Sequence, residues 1–102
     1  MAAIRNVSIL PDAAALAAAC ADHAIEVIQD AITQRGRADI ALAGGSTPRA
    51  VNALLASEPR RSAVDWNRVV FWFGDERCVP PTDRESNYRM NAETLLLCAG
   101  HR

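Results

Sequence analysis

The sequence predicts a three-layer α/β fold, a mostly parallel sheet with helices on both faces. Three observations carry this. Short apolar runs alternate with longer amphipathic segments in the order strand, helix, strand, helix, strand, helix, and such alternation implies right-handed β-α-β crossovers. The run Val69-Val70-Phe71-Trp72-Phe73 is apolar without alternation, the signature of a strand covered on both faces in a parallel sheet. The two most unusual loops each follow a strand, and ligands of open α/β sheets bind at those carboxyl ends.

Residues 4–10 are short, β-branched and stopped by Pro11-Asp12, which reads as the first strand. Asp12 then caps a long helix that ends near Gly36. Leu16, Cys20, Val27, Ile28, Ala31 and Ile32 gather on its expected inner face, with Asp22, Glu26, Gln29, Asp30 and Thr33 opposite. His23 falls between the two faces and reads as a boundary residue rather than a catalytic one. Residues 38–43 form a second strand, followed at once by Gly44-Gly45-Ser46-Thr47-Pro48. Residues 49–56 place Val51, Leu54 and Leu55 at helical spacing. Residues 57–65 are polar, contain Pro59 and read as a connecting loop. After the third strand, residues 74–85 form a loop in which Pro80-Pro81 bars any regular element. Ser86 or Asn87 caps a last helix through Met90, Leu95 and Leu96 to about Cys98, with Gly100 just beyond.

Composition narrows the function. The chain has 102 residues, half of them hydrophobic, and a net charge of −1. That length excludes a two-domain enzyme within the chain. Near-neutral charge argues against nucleic acid as a partner. All 11 positive charges are arginine, which removes both Schiff-base chemistry and a lysine-bearing P-loop. Cys20, Cys78 and Cys98 are odd in number and widely spaced, suggesting neither a zinc site nor disulfides. No metal or cofactor is expected. Residues 13–21 are apolar but lie between Asp12 and Asp22, and no stretch approaches the roughly 20 apolar residues of a membrane span. A cytoplasmic protein without membrane contacts is expected.

The two loops converge on one edge of the sheet and carry the candidate chemistry. At Gly44-Gly45-Ser46-Thr47-Pro48, glycine lets an anion approach the backbone. The amides of Gly45, Ser46, Thr47 and Arg49 are expected to face that anion, and the helix dipole favours negative charge there. The hydroxyls of Ser46 and Thr47 add donors, and Pro48 fits a first helical turn. On spacing alone this is equally a phosphate cradle or an ordinary glycine turn with a Ser/Thr cap. In Asp75-Glu76-Arg77, an extended chain sends Asp75 and Arg77 to one side and Glu76 to the other. Arg77 is then free to grip an oxyanion bidentately, but from the triplet alone a surface salt bridge is the simpler reading. Glu76 is left open between a buried arginine and a backbone amide. A Ser-His-Asp triad lacks a G-x-S-x-G elbow and a suitable histidine, since His101 is second-last. Gly44-Gly45 does not supply the dinucleotide fingerprint.

Four blocks together carry a resemblance: Ala43-Gly44-Gly45-Ser46-Thr47-Pro48-Arg49, Val64-Asp65-Trp66, Phe71-Trp72-Phe73-Gly74-Asp75-Glu76-Arg77-Cys78-Val79-Pro80 and Ser86-Asn87-Tyr88-Arg89-Met90. In order and spacing they resemble the 6-phosphogluconolactonase family, within the glucosamine/galactosamine-6-phosphate isomerase superfamily. The related deaminases share the Gly-Ser-Thr-Pro turn but carry Tyr after Asp-Glu and Ser-Tyr in the last block, so Arg77 and Asn87 favour the lactonase branch. The resemblance implies an incomplete Rossmann-like domain and the hydrolysis of 6-phospho-D-glucono-1,5-lactone in the pentose phosphate pathway, without a metal. It implies that Gly44, Gly45, Ser46 and Thr47 bind the sugar phosphate. Asp75 and Arg77 would line the reaction centre.

Family members are more than twice as long, and their second half holds a Gly-x-Gly-x-Asp-Gly-His segment with the general base. Residues 1–102 are therefore expected to be the amino-terminal part of one such domain, inactive alone. Self-association, or pairing with a carboxyl-terminal half, is expected across an uncovered sheet. The alternatives are a non-catalytic sugar-phosphate-binding module and a glucosamine-6-phosphate deaminase-like relative.

Overall fold

In the computed structural model, which describes residues 9–97, the Asp12 side chain accepts from the Ala15 N–H at 2.8 Å and starts helix α1, Ala13–Arg35. Such a cap is worth about 1 kcal/mol. Gly36 closes the helix in the left-handed region at φ 79°, its N–H donating to the Ile32 carbonyl, as expected of a glycine there. The strand expected at residues 4–10 lies outside the described residues except for Ile9 and Leu10, which carry no regular structure.

The buried stripe of α1 is rotated from the expected one. It consists of Ala17, Ala21, Ile25, Ile28 and Ala31, whereas Leu16, Cys20 and Val27 are exposed. Three of the five are alanines, and small side chains at a contact let helices approach closely. The helix packs chiefly against α2, Ser46–Leu55. Weighting the larger apolar residues pointed one position away from the true face.

Strand β1, Ala38–Leu42, and strand β2, Val69–Phe73, pair in parallel, with Ala38 opposite Val69 and Leu42 opposite Phe73. The chain between them supplies α2 and two short 3₁₀ turns, Arg61–Ala63 and Trp66–Arg68. Both expected strands that fall within the described residues are present, and they pair with each other. α2 starts at Ser46, three residues before the expected position, with Pro48 inside its first turn. The parallel α/β architecture stands.

Alternation along the strands divides the sheet into two faces. Ala38, Leu42 and Val69 join the hydrophobic core, and Ile40 and Phe71 pack against it. On the opposite face Asp39, Ala41 and Trp72 are exposed, Trp72 by 56%. The apolar run of β2 is thus not covered on both sides within residues 9–97. The Trp72 indole N–H instead donates to Asp39 at 3.1 Å, while Arg37 grips the same carboxylate. Within the core, Trp66 stacks on Phe71 with ring centroids 6.2 Å apart and donates to the Arg61 carbonyl.

Ser86 caps helix α3, Asn87–Asn91, by accepting from the Arg89 N–H at 3.2 Å, and the helix runs on as a π-turn over Ala92–Leu96. Cys98 and Gly100 lie outside the described residues. The wider turn keeps Ala92, Leu95 and Leu96 buried. Among the described residues no helix is long and apolar enough to cross a membrane.

Candidate functional site

Both strands end on the same side of the sheet, and the Gly74 N–H still donates to the Leu42 carbonyl at 3.3 Å beyond the last paired residues. The two loops that leave from there meet on Asn87. Its side-chain N–H donates to the Asp75 carboxylate at 3.2 Å, and its amide packs over Gly44 so closely that a Cβ at residue 44 would lie 2.6 Å from the Asn87 Cγ. The expected convergence is real, and it demands glycine at position 44 for a packing reason.

Gly45 turns the chain into α2 at φ 107° and ψ 177°, a conformation open essentially to glycine alone. No side chain caps this helix start, so the ordinary Ser/Thr-capped turn is not what forms. The Arg49 N–H, expected to face a ligand, donates instead to the Gly45 carbonyl at 3.2 Å within the helix. Ser46 and Thr47 occupy the first two helical positions, where backbone N–H groups have no intrahelical acceptor.

Glu76 settles its own open question. One carboxylate oxygen accepts from the N–H groups of Arg77 (2.7 Å) and Asn87 (2.6 Å). The other accepts from the Tyr88 N–H (2.8 Å) and the Ser86 hydroxyl (2.9 Å). Four donors on one carboxylate, the Tyr88 N–H foremost and against the cost of its partial desolvation, pull its pKa from 4.5 down to about 2. The group is a structural clamp between its loop and α3.

The clamp leaves Arg77 at a polar cleft of about 230 Å³, shared with Gly45, Ser46, Arg49, Arg84 and Glu85. The ion pairs among the described residues are Arg37–Asp39, Arg60–Asp22, Arg68–Asp65 and Arg89–Glu93. The surface salt bridge between Asp75 and Arg77 is therefore absent, and Arg49, Arg77 and Arg84 all reach the cleft without a carboxylate partner. Three arginines and one glutamate thus line the cleft beside a helix start, a charge balance and backbone setting that suit an anion.

The candidates divide on inspection. Gly45, Ser46 and Arg77 line the cleft; Gly44 and Asp75 meet it through Asn87. Thr47 instead lines an apolar cavity of about 300 Å³ between α1, β1 and α2. Arg84 was missed because a polar residue in a loop gives no local signal of the element it will face. Arg49 was noticed only for its backbone, although it follows the turn directly. His23 is exposed on α1, and His101 lies outside the described residues. Among the described residues no group of three or more metal-ligating side chains forms.

Residues 11–100 match the family model described as glucosamine-6-phosphate isomerases/6-phosphogluconolactonase. The chain is similar to the 6-phosphogluconolactonase of Streptomyces coelicolor, 41% identical over 79% of this chain and 31% of that protein. It is also similar to that of Rhizobium meliloti, 41% identical over 89% of this chain and 38% of the relative. Among solved structures, the 6-phosphogluconolactonase from Trypanosoma brucei superposes with a TM-score of 0.79 at 37% identity, over 88% of this chain and 34% of that one. The Shewanella baltica enzyme of the same name gives 0.77 at 32% identity, over 85% and 36%. The chain spans about a third of the length of these relatives.

Proposed function

The chain belongs to the glucosamine-6-phosphate isomerase/6-phosphogluconolactonase family, and from that premise we propose that its cleft holds the phosphate of 6-phospho-D-glucono-1,5-lactone for hydrolysis to 6-phosphogluconate. The observation that carries this is the meeting of Arg49 and Arg84, neither of them in an ion pair among the described residues, with Gly45 and Ser46 at the start of α2, while Arg77 lines the same cleft and is left for the reacting carbonyl. Backbone N–H groups, a hydroxyl and arginine are the donors a lysine-free chain has for a phosphate.

In this reading water adds to the lactone carbonyl carbon, and the carbonyl oxygen gathers negative charge. The bond to the ring oxygen then breaks, and that oxygen takes up the proton drawn from the attacking water, giving the open acid. Arg77, just beyond β2, steadies the developing oxyanion, and fixed positive charge there costs no reorganisation during the reaction. Asp75 lines the reaction centre. Among the described residues no histidine lines the cleft, so the base that takes the proton from water is assigned to another part of the family protein. The exposed face of Asp39, Ala41 and Trp72 is where we place self-association or a further layer of that protein. A water-soluble sugar-phosphate substrate fits a cytoplasmic location.

The test is lactone hydrolysis by the chain alone and joined to the portion of the Rhizobium meliloti relative that it does not match. The joined protein is expected to hydrolyse the lactone well above the spontaneous rate, and the chain alone is not. Arg77→Ala in the joined protein should lose at least tenfold in kcat/KM. Unchanged turnover in that variant would contradict the reading.

A further inference from the structure

We propose that Asn87 is a positioning residue that couples the Gly44–Gly45 turn to the Asp75 carboxylate, so that the two loops at the sheet edge act as one unit. This rests on the placement of Asp75 at the reaction centre. A carboxylate only accepts hydrogen bonds, so the Asn87 amide must turn its NH₂ toward Asp75. The donor lies 3.2 Å from Asp75 Oδ1 and 3.5 Å from the Asp75 backbone oxygen. The amide oxygen is thereby turned toward Gly44, whose missing Cβ leaves the space it fills.

The side chain has little freedom to do anything else. Asn87 is 5% exposed. Its N–H is held by Glu76 at 2.6 Å, and its carbonyl accepts from Asn91 at 2.8 Å. With the backbone pinned on both sides and the amide wedged between two loops, a shift of the turn is passed to the Asp75 carboxylate. Gly45, next to the wedge, lines the anion cleft, so occupation of the cleft is linked to the orientation of Asp75.

The experiment labels the aspartate carboxyl carbons of the 102-residue chain with ¹³C and assigns the Asp75 signal by its loss in Asp75→Asn. The three atoms nearest a Cβ at residue 44 all belong to the Asn87 side chain, so Gly44→Ala is expected to displace the Asp75 signal. In an Asn87→Ala background the same glycine change should leave that signal in place. Asn87→Asp, which keeps the size but removes the donor to Asp75, should also displace the Asp75 signal. Loss of packing does not account for a displacement in this isosteric variant, which stands in if Asn87→Ala fails to fold. An unmoved Asp75 signal in Asn87→Asp, or an equal effect of Gly44→Ala in both backgrounds, overturns the proposal. If the coupling appears but inorganic phosphate moves no amide signal at Gly45 or Ser46, the positioning role stands and the phosphate reading of the cleft falls.

Discussion

Glu76 and Asn87 are eleven positions apart, yet the Glu76 carboxylate accepts the Asn87 backbone N–H at 2.6 Å. The bond joins the loop that carries Asp75 and Arg77 to the first turn of α3. Because the same carboxylate also holds Arg77, Ser86 and Tyr88, one ionised group organises the far wall of the cleft. Removing it would free donors that only water could then satisfy.

The pH dependence of stability follows from that clamp. Glu76 has its pKa lowered from 4.5 to about 2 in the folded chain. The stability it contributes is fully present above the unfolded value and is lost as pH falls through the folded one. Melting temperatures measured between pH 7 and pH 2 should therefore decline more steeply below pH 4.5 for the unmodified chain than for Glu76→Gln. The variant should melt lower at pH 7, and the two should converge near pH 2. Parallel curves would remove Glu76 from the account.

Gly45 tests the turn. At φ 107°, an alanine is strained whatever space surrounds it, at a cost of about 1–3 kcal/mol. Gly45→Ala should lower the unfolding free energy in urea by that amount. It should also weaken inorganic phosphate binding by moving the Ser46 N–H. A neutral substitution would show that the turn adopts another conformation in solution.

Asn91 tests the polar seam beneath the site. It is fully buried, accepts from Asn52 at 2.7 Å and donates to the carbonyls of Ala43 at 3.2 Å and Asn87 at 2.8 Å. Asn91→Leu removes all three bonds, leaving the Asn52 amide with Thr94 Oγ1 at 3.1 Å and putting an apolar side chain against the Asn52 amide and the Asn87 carbonyl. Urea unfolding should show a loss of about 1–3 kcal/mol. A variant as stable as the parent would mean that water reaches the seam.

How far the sequence revealed this structure depends on how local the cause is. Asp12, Gly36 and the run Val69–Phe73 act through their own backbone and neighbours, and they mark element ends that the structure reproduces. The inner face of α1 was misplaced because burial depends on what packs against it. Ile28 and Ala31 were on the expected face, but the small Ala17 and Ala21 are buried where the helix packs on another element, which periodicity does not contain. The π-turn at Ala92–Leu96, with Ala92, Leu95 and Leu96 buried, has no signal in the helical spacing of the sequence. That Gly45, Ser46 and Arg77 come to one cleft was legible from the turn and the motif. Arg84, the Glu76 clamp and the Asn87 wedge were not, since each acts on a partner about ten or more positions away or on another loop.

Arg49 and Arg84, beside the turn at Gly45 and Ser46, make the cleft a receptor for the phosphate of a sugar acid in the proposed function, with Arg77 at its acid end. Calorimetric titration of the chain with 6-phosphogluconate, and in parallel with gluconate, tests this most directly. Binding of the phosphorylated ligand alone is predicted, weakened at least tenfold by Arg84→Ala and also reduced by Arg77→Ala, with melting temperatures unchanged in both variants. Equal binding of gluconate, or undiminished affinity in the two arginine variants, would contradict the account.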